Sequence, residues 1–236
     1  MRSPVELLFV PSVVDEVEPV THRMRRISLT GEGLRDLAWI PGQHVRVVVT
    51  PPRHWLRHPG DARRTYSVWD LDRTRGRLDL CVLDHGTGPG ADWARTVRPG
   101  QRVSLSRPEG KLTVRGSAGY HLFIGDETAA VAFAAMLRAL PADAVVHGIL
   151  ETDSAAGQLP IPDRYRLPWV HRDGSGRSLL DALVHLDLPP EPGVAYLAGE
   201  ARTCQALRTH LIRDRGWPRR DVITKPFWAP GKRGLE

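Results

Sequence analysis

Cysteine, lysine and aromatic residues are all scarce in this 236-residue sequence, which has two cysteines, three lysines and 6% Phe, Trp and Tyr. The cysteines, Cys81 and Cys204, stand far apart, with no C-x-x-C pair and no histidine cluster beside either. That excludes a disulfide framework and a structural zinc site, and both read as small core residues. No apolar run exceeds residues 129–137, well short of the ~18 residues a membrane-spanning helix requires. Glu6 and Pro11 interrupt the apolar stretch near the N-terminus, so it does not read as a secretory signal and the expected compartment is the cytoplasm. Glycine (22) and proline (20) together stay below the ~25–30% of low-complexity chains, which excludes disorder as the main state. No His, Asp or Glu cluster argues for a resident metal, so no metal site is expected.

Because lysine is nearly absent, arginine carries the basic charge: of 33 Lys+Arg only Lys111, Lys225 and Lys232 are lysines, and the formal net charge is +6. Arginine's planar fork suits phosphate and carboxylate. An excess spread along the whole chain is nevertheless first a solvated basic surface. The basic residues do not alternate with stacking aromatics, which counts against a nucleic-acid-binding module.

Two rhythms divide the chain. Up to about residue 117 short β-rich runs (25–29, 45–50, 65–69, 77–83 and 102–106) alternate with Gly and Pro, the pattern of an antiparallel barrel or sandwich. From Tyr120 strands alternate with helices: 121–124 then 127–139, 144–150, 169–171 then 178–185, 194–197 then 201–215, and 221–224. That alternation implies parallel βα units. The expected division is therefore a β-barrel domain at 1–117 followed by an α/β domain at 118–236, with the small residues around Gly116 and Gly119 at the boundary. Ser178 and Asp181 have capping-box spacing. Cys204, Leu207, Leu211 and Ile212 form an apolar stripe, with Arg208, Arg213 and Arg215 on the wet face.

Three stretches carry possible chemistry. Arg64-Thr65-Tyr66-Ser67 lies on an expected strand, so Arg64 and Tyr66 share one face and Thr65 and Ser67 the other. An aromatic ring and a phosphate-binding fork would then sit side by side. His85-Gly86-Thr87-Gly88-Pro89-Gly90 opens a short helix containing Trp93. Backbone amides at such a start suit a pyrophosphate. Gly125-Asp126-Glu127-Thr128-Ala129 follows a strand where a dinucleotide fold places its first loop, but it is not G-x-G-x-x-G. By itself it reads as a carboxylate N-cap.

In this order, together with Val20–Ile27, Gly42-Gln43-His44-Val45, Trp169-Val170-His171-Arg172, Gly199-Glu200-Ala201 and Phe227-Trp228-Ala229-Pro230-Gly231, these stretches resemble the siderophore-interacting protein family, ferric-siderophore reductases of the ferredoxin-reductase-like flavoproteins. The resemblance spans nearly the whole length. It implies an antiparallel FAD-binding barrel followed by a parallel-sheet nicotinamide-binding domain. It implies that Arg64, Tyr66, Ser67 and Val68 contact the flavin, with Tyr66 stacking and Ser67 beside the reactive N5 as the residues nearest the chemistry. Asp84, His85, Gly86, Gly88, Pro89, Gly90 and Trp93 would hold the adenosine diphosphate portion. Gly125, Asp126, Thr128, Gly199 and Glu200 would line the nicotinamide cleft, Arg172 would meet an adenosine phosphate, and Phe227 and Trp228 would lie near the flavin ring. The family's Leu-Pro after the G-D-E-T-A loop is Ala130-Val131 here, and its closing Tyr-Trp-Arg is Phe227-Trp228-Ala229.

The implied activity is transfer of electrons from NADH or NADPH through FAD to ferric iron in a siderophore, releasing ferrous iron. The basic, aromatic loop at 53–58 is a candidate to receive the anionic chelate, or simply a solvated loop. Two other functions stay open: a flavin reductase serving a partner oxygenase or biosynthetic pathway, and a non-catalytic basic binding module. The choice of electron donor and acceptor also stays open.

Overall fold

The computed structural model describes residues 9–49, 63–116, 118–175 and 177–232. The chain divides into two compact units between Lys111 and Leu112.

The first unit is a closed six-stranded antiparallel barrel in the order β1-β2-β5-β4-β3-β6. Its strands are β1 (Phe9–Pro19), β2 (Met24–Thr30), β3 (His44–Val48), β4 (Arg63–Asp72), β5 (Arg77–Leu83) and β6 (Arg102–Ser106). Period-two alternation turns Val45, Val47, Val68, Leu78, Leu80 and Leu105 fully inward, where they form one core with Leu34 and Leu37 after β2. Closure between β1 and β6 leaves the barrel without a free edge there. β1 is absent from the expected strands. Pro11, Asp15, Glu16 and Glu18 break its apolar pattern, yet Val10, Ser12 and Val14 alternate inward, and a bulge between Val14 and Glu16 resets the register. Between β5 and β6 lies a single helix, α1 (Pro89–Thr96), whose Trp93 and Ala94 join the barrel core.

The second unit is a parallel sheet in the order β11-β10-β7-β8-β9, made of β7 (His121–Asp126), β8 (Val146–Thr152), β9 (Trp169–His171), β10 (Val194–Glu200) and β11 (Val222–Trp228). Helices α2 (Glu127–Ala139), α3 (Ser178–Val184) and α4 (Ala201–Thr209) connect them. β7 is central: the chain builds outward through β8 and β9, then returns to place β10 on the other side of β7. That reversal sets the crevice at the carboxyl ends of β7 and β10, where open α/β sheets bind ligands. Leu122 and Ile124 pack with Leu179, Leu183, Leu207 and Leu211. On the opposite face Phe123 meets Phe133 edge-on and stacks on Tyr196. Gly125 lets α2 lie close, since a Cβ there would stand 2.4 Å from the Ala198 carbonyl oxygen and 2.6 Å from the Ala129 Cβ. No helix among the described residues is long and apolar enough to cross a membrane.

Three local expectations change. Ser178 is the first helical residue, not a cap; its hydroxyl turns to Asp173 at 3.3 Å, and Arg177 stands at the N-cap. The single helix expected over 201–215 ends at Thr209 and passes into a π turn, His210–Asp214. There Arg215 leaves the wet face and donates to the carbonyls of Leu183, Val184 and Leu186, satisfying the end of α3. The loop at 53–58 lies outside the described residues.

Candidate functional site

In the first unit, β4 and α1 build one patch. Tyr66 pairs with the inward-facing Val45, and its ring stacks on Trp93 with centroids 5.6 Å apart and planes at 26°. As a residue Tyr66 is half-buried, but its hydroxyl is shut from solvent and finds no partner among the described residues. Burial pushes that phenol far above its ordinary range, with the Arg64 charge pulling weakly the other way. Gly90 makes the close approach possible, since a Cβ there would stand 3.0 Å from Tyr66 Oη and 3.4 Å from Arg64 Cγ.

The loop into α1 is folded by a residue that sequence reasoning missed. Arg95 donates to Asp84 Oδ1 at 2.7 Å and to the Gly86 carbonyl at 2.9 Å, and also binds Asp92, while Asp84 Oδ1 accepts the Gly86 amide at 3.0 Å. The i,i+3 spacing of Asp92 and Arg95 was the only signal for it. Gly86 and Gly88 adopt φ of 96° and 98°, the left-handed region that glycine enters without strain. Gly88 caps α1 with no side chain, and Pro89 occupies its first position.

The structure thus gathers Arg64, Tyr66, Gly90 and Trp93, with Asp84 and Gly86 organised by Arg95. Ser67 falls on the alternate face of β4, opposite His44, and Val68 is sunk in the core, leaving only its backbone to a ligand. His85 stays at the loop surface, its ring bordering Gly88. An orphaned hydroxyl, a cradle that a Cβ would fill, helix-start amides without a side-chain cap and an adjacent guanidinium suit a phosphate-bearing flavin dinucleotide.

In the second unit, Asp126 is the hub of the crevice. Its Oδ1 accepts the amides of Thr128 at 2.9 Å and Ala129 at 3.2 Å, and the Thr128 hydroxyl, making it the N-cap of α2. Its Oδ2 accepts the Glu200 amide at 3.1 Å and the Trp228 indole N–H at 2.7 Å. Gly199 curls past it with φ of 119°. Gly125, Asp126, Thr128, Gly199, Glu200 and Trp228 are therefore one constellation at the ends of β7, β10 and β11. Glu200 caps α4 through Oε2 on the Thr203 amide, while its buried Oε1 has no partner among the described residues. That oxygen suits a ligand N–H or O–H at the crevice.

Arg172, just past β9, is bound on three sides. Its Nη1 donates to Glu127 Oε1 at 3.1 Å, its Nη2 to Glu127 Oε2, and its Nε lies 3.2 Å from Glu151 Oε2. Burial raises both carboxyls against the pull of Arg172. The guanidinium loses to desolvation but gains more from the Glu127 bond and the surrounding carboxylates, so it is held firmly charged. Another buried ionisable group nearby is Cys204, whose thiol is pushed up to about 12, first by burial and then by Asp126 and Glu200.

An antiparallel barrel carrying an Arg-x-Tyr-Ser strand and a parallel sheet with a crevice at its switch point make up the ferredoxin-reductase-like fold. Phthalate dioxygenase reductase shares this fold, with a TM-score of 0.72 over 98% of this chain and 72% of its own, at 21% identity.

Two family models divide the chain between them: the siderophore-interacting FAD-binding domain over residues 52–112 and the siderophore-interacting protein over residues 118–231. The chain belongs to the siderophore-interacting protein family. The ferric vibriobactin reductase ViuB of Vibrio cholerae is 28% identical, covering 98% of this chain and 94% of that protein. A siderophore utilization protein from T. fusca superposes with a TM-score of 0.83 at 28% identity, covering 97% of this chain and 95% of its own.

Proposed function

We propose that this protein is an FAD-dependent reductase that draws electrons from a reduced pyridine nucleotide and delivers them to ferric iron held by a siderophore. The observation that carries the reading is the Tyr66 patch, where a buried hydroxyl without a partner among the described residues, the Gly90 gap and the start of α1, which no side chain caps, converge. Family membership supports it, as does similarity to a protein named for reducing ferric vibriobactin.

Bound FAD would supply the chemistry, accepting a hydride and releasing electrons one at a time. The protein's part is to bind and orient. Tyr66 and Ser67 would hold the isoalloxazine, and Arg64, His85, Gly86, Gly88, Gly90 and the first amides of α1 would hold the diphosphate portion. The Asp126 constellation, with Glu200 Oε1 available, would receive the nicotinamide end. In this reading the barrel unit, through Lys111, is the flavin domain and the unit from Leu112 the nicotinamide domain, rather than dividing at the expected 117/118, and the protein works in the cytoplasm. The chelate is substrate. Its hard oxygen donors favour ferric over ferrous iron, so reduction loosens the complex.

The test is a visible spectrum of the FAD-loaded protein, followed anaerobically through addition of NADH or NADPH and then of a ferric catecholate or hydroxamate with a ferrous trap. Bleaching followed by recovery as trapped iron appears is the expected result. Bleaching that ferric chelates leave untouched would favour a reductase for a partner oxygenase, and failure to bind FAD would sink the flavoenzyme reading.

A further inference from the structure

We infer that the second unit selects a pyridine nucleotide lacking a 2′-phosphate, and that Glu127 and Glu151 make this choice by occupying the Arg172 guanidinium. The inference rests on the proposal that a pyridine nucleotide is the electron donor. In open parallel sheets the adenosine half of a dinucleotide lies over the carboxyl ends of the strands on one side of the switch point. There a carboxylate at the end of the second strand accepts the ribose 2′-hydroxyl, whereas a free arginine accommodates a 2′-phosphate. β7, β8 and β9 form that side of the sheet here. Both kinds of residue are present: Glu151 is the penultimate residue of β8, before Thr152, and Arg172 follows β9.

What decides between them is where the arginine's donors go. Both terminal nitrogens face the two oxygens of Glu127, and Nε faces Glu151. The carboxylates are nearly enclosed, with side-chain exposures of 7% for Glu127 and 11% for Glu151, against 30% for Arg172. The Arg172 amide is also tied to the Thr152 carbonyl at 2.9 Å, which fixes the turn that carries the guanidinium. A 2′-phosphate could recruit Arg172 only by breaking this bidentate pair and stranding a buried carboxylate, a strongly unfavourable exchange. With the guanidinium's donors already spent on two carboxyls, a phosphate finds no free donor there, while the remaining carboxyl lone pairs accept a ribose hydroxyl.

The test is calorimetric titration of the FAD-loaded full chain with ADP-ribose and with 2′-phospho-ADP-ribose, fragments that bind without turnover. The parent is expected to bind ADP-ribose at least tenfold more tightly. Glu151→Gln, nearly isosteric, should narrow that ratio at least fivefold by strengthening the 2′-phosphorylated fragment, and Glu127→Gln should act in the same direction. Equal or tighter binding of the 2′-phosphorylated fragment by the parent overturns the inference. So does a ratio that neither folded variant changes. A parent that binds neither fragment, and whose flavin neither NADH nor NADPH reduces, overturns the pyridine-nucleotide reading itself, a result distinct from wrong selectivity.

Discussion

The Asp126 carboxylate accepts the Trp228 indole N–H at 2.7 Å, joining the end of the central strand to the end of the last one. The same carboxylate caps α2 and holds the Glu200 amide. One side chain thereby fixes the relative positions of three strand ends that form the crevice. Asp126→Asn keeps the size but turns an amide N–H₂ towards groups that all donate. The expected loss is about 2–3 kcal/mol of stability, the scale of hydrogen bonds to charged groups. Thermal unfolding reads the loss, and greater access of acrylamide to Trp228, taken against Trp228→Phe, reads the broken latch.

Gly199 and Gly86 separate two costs of replacing glycine. Both have positive φ, but a Cβ at Gly199 would stand 2.5 Å from Asp126 Oδ2, while one at Gly86 would meet no atom of the described residues within 4 Å. Gly86→Ala should cost about 1 kcal/mol, the backbone penalty alone. Gly199→Ala adds a clash with a carboxylate already held by five donors, and should cost at least about 2 kcal/mol more. Denaturant midpoints of the two variants check the difference, and equal midpoints would contradict the packing described at Asp126.

Tyr66→Phe removes a buried hydroxyl that has no partner among the described residues, so the flavin-free protein should keep its stability or gain about 1 kcal/mol. The same change should weaken FAD binding by about tenfold, the worth of one hydrogen bond of ~1.4 kcal/mol. Tyr66→Ala also forfeits the packing on Trp93 and should cost the flavin-free fold about 3 kcal/mol. Melting curves and FAD titrations of both variants test this. A flavin-free Tyr66→Phe protein clearly less stable than the parent would mean that the hydroxyl has a structural partner.

The barrel strands were legible because Val45, Val47, Leu78 and Leu80 obey a two-residue period, and the parallel unit because the helix at Glu127–Ala139 is almost wholly apolar. β1 was hidden because its inward positions lie between prolines and acids, and its bulge breaks the period. The members of the crevice were nameable from motif order, and Asp126 as a cap from its position before Thr128 and Ala129. That Asp126 also holds Trp228, 102 positions away, was not legible. Neither was the grip of Glu127 and Glu151 on Arg172. Both depend on strands that only the sheet order β11-β10-β7-β8-β9 brings together.

Neither thiol should take part in the chemistry. Cys81 and Cys204 are both buried, and the Cys204 thiol, pushed up to about 12, carries almost no thiolate at neutral pH. A thiol-specific reagent should leave both untouched in the native protein and titrate both after unfolding. Cys204→Ala should retain turnover within about twofold, since it truncates only a small buried thiol that carries almost no charge. A stoichiometric reaction of the native protein with the reagent would contradict the burial.

His121 should give the second unit an acid-sensitive component. It is 5% exposed, and burial holds its pKa below the ordinary 6.5. The unfolded chain therefore binds this proton more readily, so the contribution is fully present above pH 6.5 and is lost as pH falls through the window below it. His121→Phe abolishes that linkage while sacrificing the 3.3 Å contact with Tyr196. The parent should lose more stability than the variant between pH 7 and pH 5. Parallel pH profiles would contradict the assignment.

We expect a bound flavin to pass electrons on to a ferric siderophore, and this is read from the anaerobic visible spectrum of the FAD-loaded protein during one reductive and one oxidative half-cycle. Flavin bands that bleach with a reduced pyridine nucleotide and return when a ferric siderophore is added, in step with trapped ferrous iron, are the predicted result. A reduced flavin that stays bleached in the presence of ferric catecholate and hydroxamate chelates alike would contradict it.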